Sequence, residues 1–244
     1  MVANLSRLFF NILQKGRIHP DTPSNAFLSG LHQLDDSHLS CVATASAGAT
    51  EISFDNEMKS PGMARFVGRA LAGTVLQVYD KVEYVDVESI DMIQKTVVVP
   101  ANVPAPEDLP LAHKYKDLHE AGKDDEIPFK AMQLTTVVAE AIRMCELENG
   151  PYEFNLGMCG IRLGNVALVG IPGEPFTEVG VKIKDTEGFD MIMPCGLTNG
   201  YEGYFPVKAA FDEGGYEART SRYKTGVAEA VVENGKEILA LLKK

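Results

Sequence analysis

An α/β fold, with a mixed β-sheet flanked by amphipathic helices, is predicted by three features of this 244-residue chain. Apolar residues recur with a 3.6-residue period in several long segments. Shorter runs rich in β-branched residues lie between them. Some of these runs are joined by hairpin turns and others by helical stretches, which implies a mixed sheet with helices packed on it.

The elements follow in order. Residues 1–14 carry Leu5, Leu8, Phe9, Ile12 and Leu13 at helical spacing and end near Gly16. Pro20, Pro23 and Gly30 break 17–38 into a loop. Residues 39–47 are small and apolar and read as a buried strand. After a second loop over 48–60, Met63, Phe66, Val67, Ala70, Leu71, Thr74, Val75 and Val78 make 61–79 an amphipathic helix. Residues 82–99 alternate and make one or two strands. Pro100, Pro104, Pro106 and Pro110 then stop regular structure, and the charged stretch 107–127 reads as a solvated, partly helical insertion. Met132, Leu134, Val137, Val138, Ala141, Ile142 and Cys145 mark a helix closed by Asn149-Gly150-Pro151. A hairpin comes next: 152–161, a turn at Leu163-Gly164-Asn165, then 166–170. Pro175 suits the first turn of a helix, which places Glu174 at its N-cap. Residues 189–195 form a strand and 200–217 a loop. Val227, Ala230, Val231, Ile238, Leu241 and Leu242 give a C-terminal helix, whose negative end suits Lys243 and Lys244. No linker stands out, and 1–244 is expected to be a single domain.

Composition excludes several classes. A formal charge of −11 argues against nucleic acid and anionic membranes, both of which require basic patches. No stretch approaches the roughly 20 apolar residues of a transmembrane segment. Residues 1–15 lack the basic start and cleavage site of a signal peptide, which favours a cytoplasmic location and leaves secretion open if the true start lies upstream. Cys41, Cys145, Cys159 and Cys195 show no C-x-x-C spacing and read as small apolar residues. His113 and His119 belong to the charged insertion and are expected to be exposed.

Two segments place polar groups where packing gives no reason for them. One is Gly173-Glu174-Pro175-Phe176-Thr177-Glu178; the other runs from Asn199-Gly200-Tyr201-Glu202-Gly203-Tyr204 to Gly214-Gly215-Tyr216-Glu217. Glu174 follows a buried strand at the edge where α/β sheets gather ligands, and there it could ligate a metal or act as a base. It could equally do no more than favour a helix N-terminus by its charge. Tyr201, Tyr204 and Tyr216 lie among glycines, which let side chains converge. A phenol can donate to an oxyanion, or ligate a metal ion that lowers its pKa. Ser53 ends the run Ala47-Gly48-Ala49-Thr50-Glu51-Ile52 and is either a nucleophile or a turn serine. His19, before Pro20, is the one histidine in a loop rich in polar side chains.

Taken together, these segments resemble the neutral/alkaline non-lysosomal ceramidase family and its bacterial relatives. Gly173-Glu174 with Thr177, and the Tyr204 to Tyr216 spacing with Glu217, are similar to the C-terminal catalytic segments of that family. Ala47 to Ser53 resembles the small-residue run ending in its serine, with Thr50-Glu51 where the family has Gly-Asp. Ile18-His19-Pro20 and Phe27-Leu28-Ser29-Gly30 resemble the region of its second histidine ligand. The resemblance implies a zinc-dependent amidohydrolase that cleaves the amide of an N-acyl (sphingo)lipid or a related N-acyl compound. Glu174, Tyr204 and His19 would ligate Zn2+, Ser53 would be the nucleophile, and Tyr216 would stabilise the oxyanion. The family's first histidine ligand, in a "THTHSG"-like segment, and its arginine have no counterpart here. The chain is therefore expected to be the C-terminal part of a catalytic domain. It would act alone, with a partner chain, or as a homo-oligomer covering the rest. The alternative is a non-catalytic structural half or a small-molecule binding domain.

Overall fold

A computed structural model describes residues 69, 72, 73, 75–77, 79, 81 and 87–243. Within the amphipathic segment 61–79, every described residue is helical. The segments 1–14 and 39–47 lie outside the described residues. The fold set out below is that of the unit containing residues 87–243.

Strand β1 (Ile90–Pro100) is one continuous strand. Pro100 ends it, since a ring nitrogen cannot donate to a ladder. Two helices follow: α1 (Leu109–Glu120), with proline in its first turn, and α2 (Ala131–Leu147). Strand β2 (Glu153–Leu163) runs antiparallel to β1 over its full length, from Ile90 opposite Leu163 to Pro100 opposite Glu153. Gly164, at φ 58°, opens the two-residue turn into β3 (Val166–Gly170), which is antiparallel to β2. Residues Glu174–Pro175 form a short strand, β4, and α3 (Thr177–Lys184) leads to β5 (Met191–Cys195). Because a helix intervenes, β5 returns parallel to β3, and the mixed sheet has the order β1-β2-β3-β5. A second, two-stranded sheet pairs β4 in parallel with β6 (Tyr204–Phe205). Helices α4 (Lys208–Glu213), α5 (Tyr216–Thr220) and α6 (Val227–Leu242) complete the chain.

One face of the sheet is covered by α6. Val97, Val99, Leu156, Met158, Ala167 and Val169 pack there with Ile183 of α3 and with Ile238, Leu239 and Leu242 of α6. The approach is close: a Cβ on Gly160 would collide with Ile238 Cγ2 and lie 2.9 Å from Leu242 Cδ1. On the opposite face the register aligns two apolar rows. Ile90, Leu163, Val166 and Met191 form one; Met92, Ile161, Leu168 and Met193 form the other. Ile90, Met92 and Met191 are each more than half exposed.

Two expectations are corrected. Glu174 is not an N-cap: Phe176 holds that position, and Glu178 is the acidic residue of the first turn of α3. The backbone of Glu174 is taken by a partner some thirty residues away, because its N–H donates to Gly203 O at 2.8 Å. Residues 200–217 are not one loop either. Gly214, left-handed at φ 73°, ends α4, and Gly215 caps α5, so Tyr216 is the first residue of a helix.

Candidate functional site

The site is built on the connection that leaves β3. Ile171 is fully buried, and residues 171–174 are stitched to the 195–203 segment by backbone bonds. Ile171 N–H donates to Cys195 O (2.8 Å), Leu197 to Gly173 O (2.9 Å), Thr198 to Ile171 O (2.9 Å), and Glu202 to Pro172 O (2.8 Å). Only glycine fits at 173, where a Cβ would lie 2.5 Å from Gly203 O and 2.7 Å from the Phe205 ring. The next step is the β4–β6 pairing, which sets Glu174 directly beside Tyr204. Successive strand residues face opposite sides. Pro175 and Phe205 therefore point into the core, and Glu174 and Tyr204 share the other side.

Tyr216 enters from the start of α5. Its ring meets Tyr204 edge to face, with centroids 6.2 Å apart. A buried polar scaffold fixes α5 there. Arg143 of α2, only 6% exposed, donates to Arg219 O at 2.9 Å and to Asn102 O at 2.6 Å. Arg219 in turn pairs with Glu140, its Nε donating at 2.8 Å. From below, Tyr223 is fully buried and donates its O–H to Glu202 O at 2.6 Å, while Ser221 Oγ donates to Tyr204 O at 3.0 Å.

Thus Glu174, Tyr204 and Tyr216 come together. Two residues that carried no assigned role join them: Tyr201 and Glu217, both close enough to act on the Glu174 carboxylate electrostatically. Their spacing among glycines was the available signal for Tyr201. Burial raises the Glu174 pKa; the Tyr201 phenol lowers it and the Glu217 charge raises it further. The Tyr204 phenol is pushed up to about 12, chiefly by burial and then by the Glu174 charge. Burial also raises Tyr201, with Glu174 adding to it. Burial and the mutual negative charges disfavour ionisation here, while Tyr201 favours the Glu174 carboxylate; a cation would relieve the repulsion.

Ser53 and His19 lie outside the described residues. His113 is bonded to Glu148 (3.0 Å) and His119 to Asp124 (2.8 Å), both on exposed surface. Cys159 and Cys195 are buried, as small apolar residues are. Among the described residues, no three His, Cys, Asp or Glu side chains gather as a metal site. The donors at the cluster are carboxylate and phenol oxygens. Two oxygen donors leave a zinc ion short of the softer nitrogen or sulfur ligands it prefers. Among the described residues, no helix is long and apolar enough to cross a membrane.

By sequence the chain matches no protein-family profile and no curated protein. By structure it is similar to the neutral ceramidase from Pseudomonas aeruginosa, with a TM-score of 0.60 at 15% identity over 93% of this chain. The chain spans 41% of that ceramidase's length. A ceramidase complexed with C2 gives a TM-score of 0.48 at 15% identity over 78% of this chain and 35% of the other. The likeness shows a fold: the chain has the mixed α/β architecture of part of a ceramidase.

Proposed function

We propose that this chain is the ceramidase-type hydrolase part of a zinc-dependent amidohydrolase, acting on the amide of an N-acyl lipid or a related N-acyl compound. The observation that supports it is the meeting of Glu174, Tyr204 and Tyr216 in a chain that folds like part of a neutral ceramidase. Glu174 and Tyr204 would hold the zinc ion through their oxygens. When bound, the ion would supply a Lewis acid able to work at neutral pH.

The remaining chemistry belongs to the chain. Tyr216, packed on Tyr204, would donate its O–H to the oxygen that becomes negative as the amide carbonyl turns tetrahedral. That centre would form by attack of the Ser53 hydroxyl or of water on the carbonyl carbon; its collapse breaks the C–N bond, the nucleophile's proton passes to the departing amine, and the acyl group leaves as the carboxylate, after hydrolysis by water where it is held on Ser53. Ser53 and His19 keep the roles that the sequence resemblance implies, nucleophile and metal ligand, and Ser53→Ala and His19→Ala test them.

Zinc content of protein purified without added metal decides the reading. Near-stoichiometric zinc in the parent, lost in Glu174→Ala, is the expected result. Hydrolysis of an N-acyl amide should fall about 100-fold or more in Tyr216→Phe, as when one oxyanion donor is removed. Zinc content that Glu174→Ala leaves unchanged would sink the proposal.

A second reading follows from the all-oxygen donor set. In it the fold is a structural half or a small-molecule binding domain without catalysis, working beside a partner chain or a second copy. Metal-free protein that binds an N-acyl amide, and loses that binding in Tyr204→Phe, would favour it.

A further inference from the structure

We propose that the free edge of strand β1 is a pairing site for β1 of a second copy of this chain, the two strands running antiparallel about a two-fold axis at Gln94. The inference does not rest on the reading of the Glu174 cluster.

Backbone geometry fixes which groups that edge presents. Ala101 N–H donates to Tyr152 O at 2.9 Å, on the β2 side and in register with the strand. In an antiparallel pair, alternate residues bond the neighbouring strand and those between them point away from it. Odd-numbered residues of β1 therefore bond β2, and the N–H and C=O groups of the even-numbered ones face outward. The C-terminal end of the outer edge bears this pattern. There Pro100 O accepts from Lys224 N–H (3.0 Å) and Asn102 N–H donates to Arg222 O (2.8 Å). Pairing stops at that point. β1 is the outermost strand of its sheet, and among the described residues no strand lies beside Ile90, Met92, Gln94, Thr96 and Val98.

Sheet edges are commonly blunted by a bulge, a proline or an outward lysine. The open stretch of β1 has none of these. Its register with β2 runs one to one, Pro100 lies at its end, and Lys95 turns to the α6 face, where it pairs with Glu237. The side chains of Ile90, Met92 and Val98 are 53%, 62% and 55% exposed. A long, flat, apolar edge is a template for an added strand. A second copy fits this one. With Gln94 opposite Gln94, Met92 meets the partner's Thr96 and Ile90 meets the partner's Val98, so every open residue finds a backbone partner. Asp91 then lies diagonal to the partner's Lys95, within reach of a long side chain. The pairing ends where residues 222–224 already close the edge. A two-fold contact of this kind is closed at two copies.

The test is sedimentation equilibrium of the full chain over a range of concentrations, on the parent and two double variants. Met92→Lys with Thr96→Lys sets like charges opposite each other in the proposed register; Met92→Lys with Thr96→Glu sets opposite charges there. The parent should dimerise reversibly, and the first variant should self-associate about 10-fold more weakly than the second. Long-range charge predicts the reverse order: two lysines reduce the net charge of −11, whereas a lysine with a glutamate leaves it unchanged. A parent that stays monomeric overturns the proposal. Equal dimerisation of the two variants assigns association to another surface and overturns it, as does loss of the dimer in both. Should a thermal melt show either variant unfolded, amide hydrogen exchange of the parent decides. Exchange at Met92, Gln94 and Thr96 should slow as concentration rises, and exchange independent of concentration overturns the pairing.

Discussion

Glu174 shows how much one residue's meaning depends on its partner. Read locally, the carboxylate before Pro175 serves a helix N-terminus; in the structure Glu178 does that and Glu174 lies beside the Tyr201 and Tyr204 phenols and a second carboxylate, Glu217. Its raised pKa has a consequence for stability. The folded state binds the proton more tightly than the unfolded chain, whose glutamate titrates near 4.5. Metal-free protein therefore loses stability as pH rises from that value through the raised one. Glu174→Gln removes the charge and keeps the size of the side chain. In chelator, the variant should melt like the parent at acid pH and above it at neutral pH; zinc should reverse that order by stabilising only the parent. Equal melting of both proteins at every pH would refute the electrostatic account. Tyr204 offers an optical check. With its pKa pushed up to about 12, the phenol is neutral in metal-free protein at pH 8. Zinc should produce a tyrosinate difference band in the parent and none in Tyr204→Phe. No band in the parent would remove Tyr204 from the ligand set.

At the scale of elements, what could be read locally was read. The β2–β3 hairpin was legible in Gly164-Asn165, and α2 and α6 in their apolar period, because turns and amphipathic helices are specified by neighbours in sequence. The β4–β6 pair was not legible. Two residues carry no periodicity, and the partner of Glu174 comes thirty positions later. Convergence of Glu174, Tyr204 and Tyr216 reached the sequence reading through residue types, spacing and the ceramidase resemblance, which gave Tyr201 no role. Nor did anything local mark Arg143, since a charged residue on an amphipathic helix reads as solvated; its burial depends on two carbonyls from α5 and the 101–108 connection. Arg143→Met should expose that dependence. It leaves Arg219 O and Asn102 O without a donor, for a loss of about 3 kcal/mol. Because α5 carries Tyr216, zinc-loaded protein should also lose activity at temperatures where it is still folded. A denaturant midpoint within experimental error of the parent would show that α5 is fixed by other contacts.

For the whole unit, the two faces of the main sheet make different demands. The face under α6 is close-packed down to Gly160, where no side chain fits. The other face presents two four-residue apolar rows, with Ile90, Met92 and Met191 each more than half exposed. Contiguous apolar surface of that kind drives association. The chain's charge of −11 opposes association at long range, and salt weakens that opposition first, because screening acts on separated charges and leaves apolar contact untouched. Self-association should therefore rise with salt, in the opposite sense to an interface held by ion pairs. Met92→Gln combined with Met191→Gln should reduce the salt-driven increase in light scattering. Both side chains are exposed, so the cost to stability should stay within about 0.5 kcal/mol per site. Scattering that falls with salt, or that the double variant leaves unchanged, would show that this face does not govern how the molecule meets its neighbours.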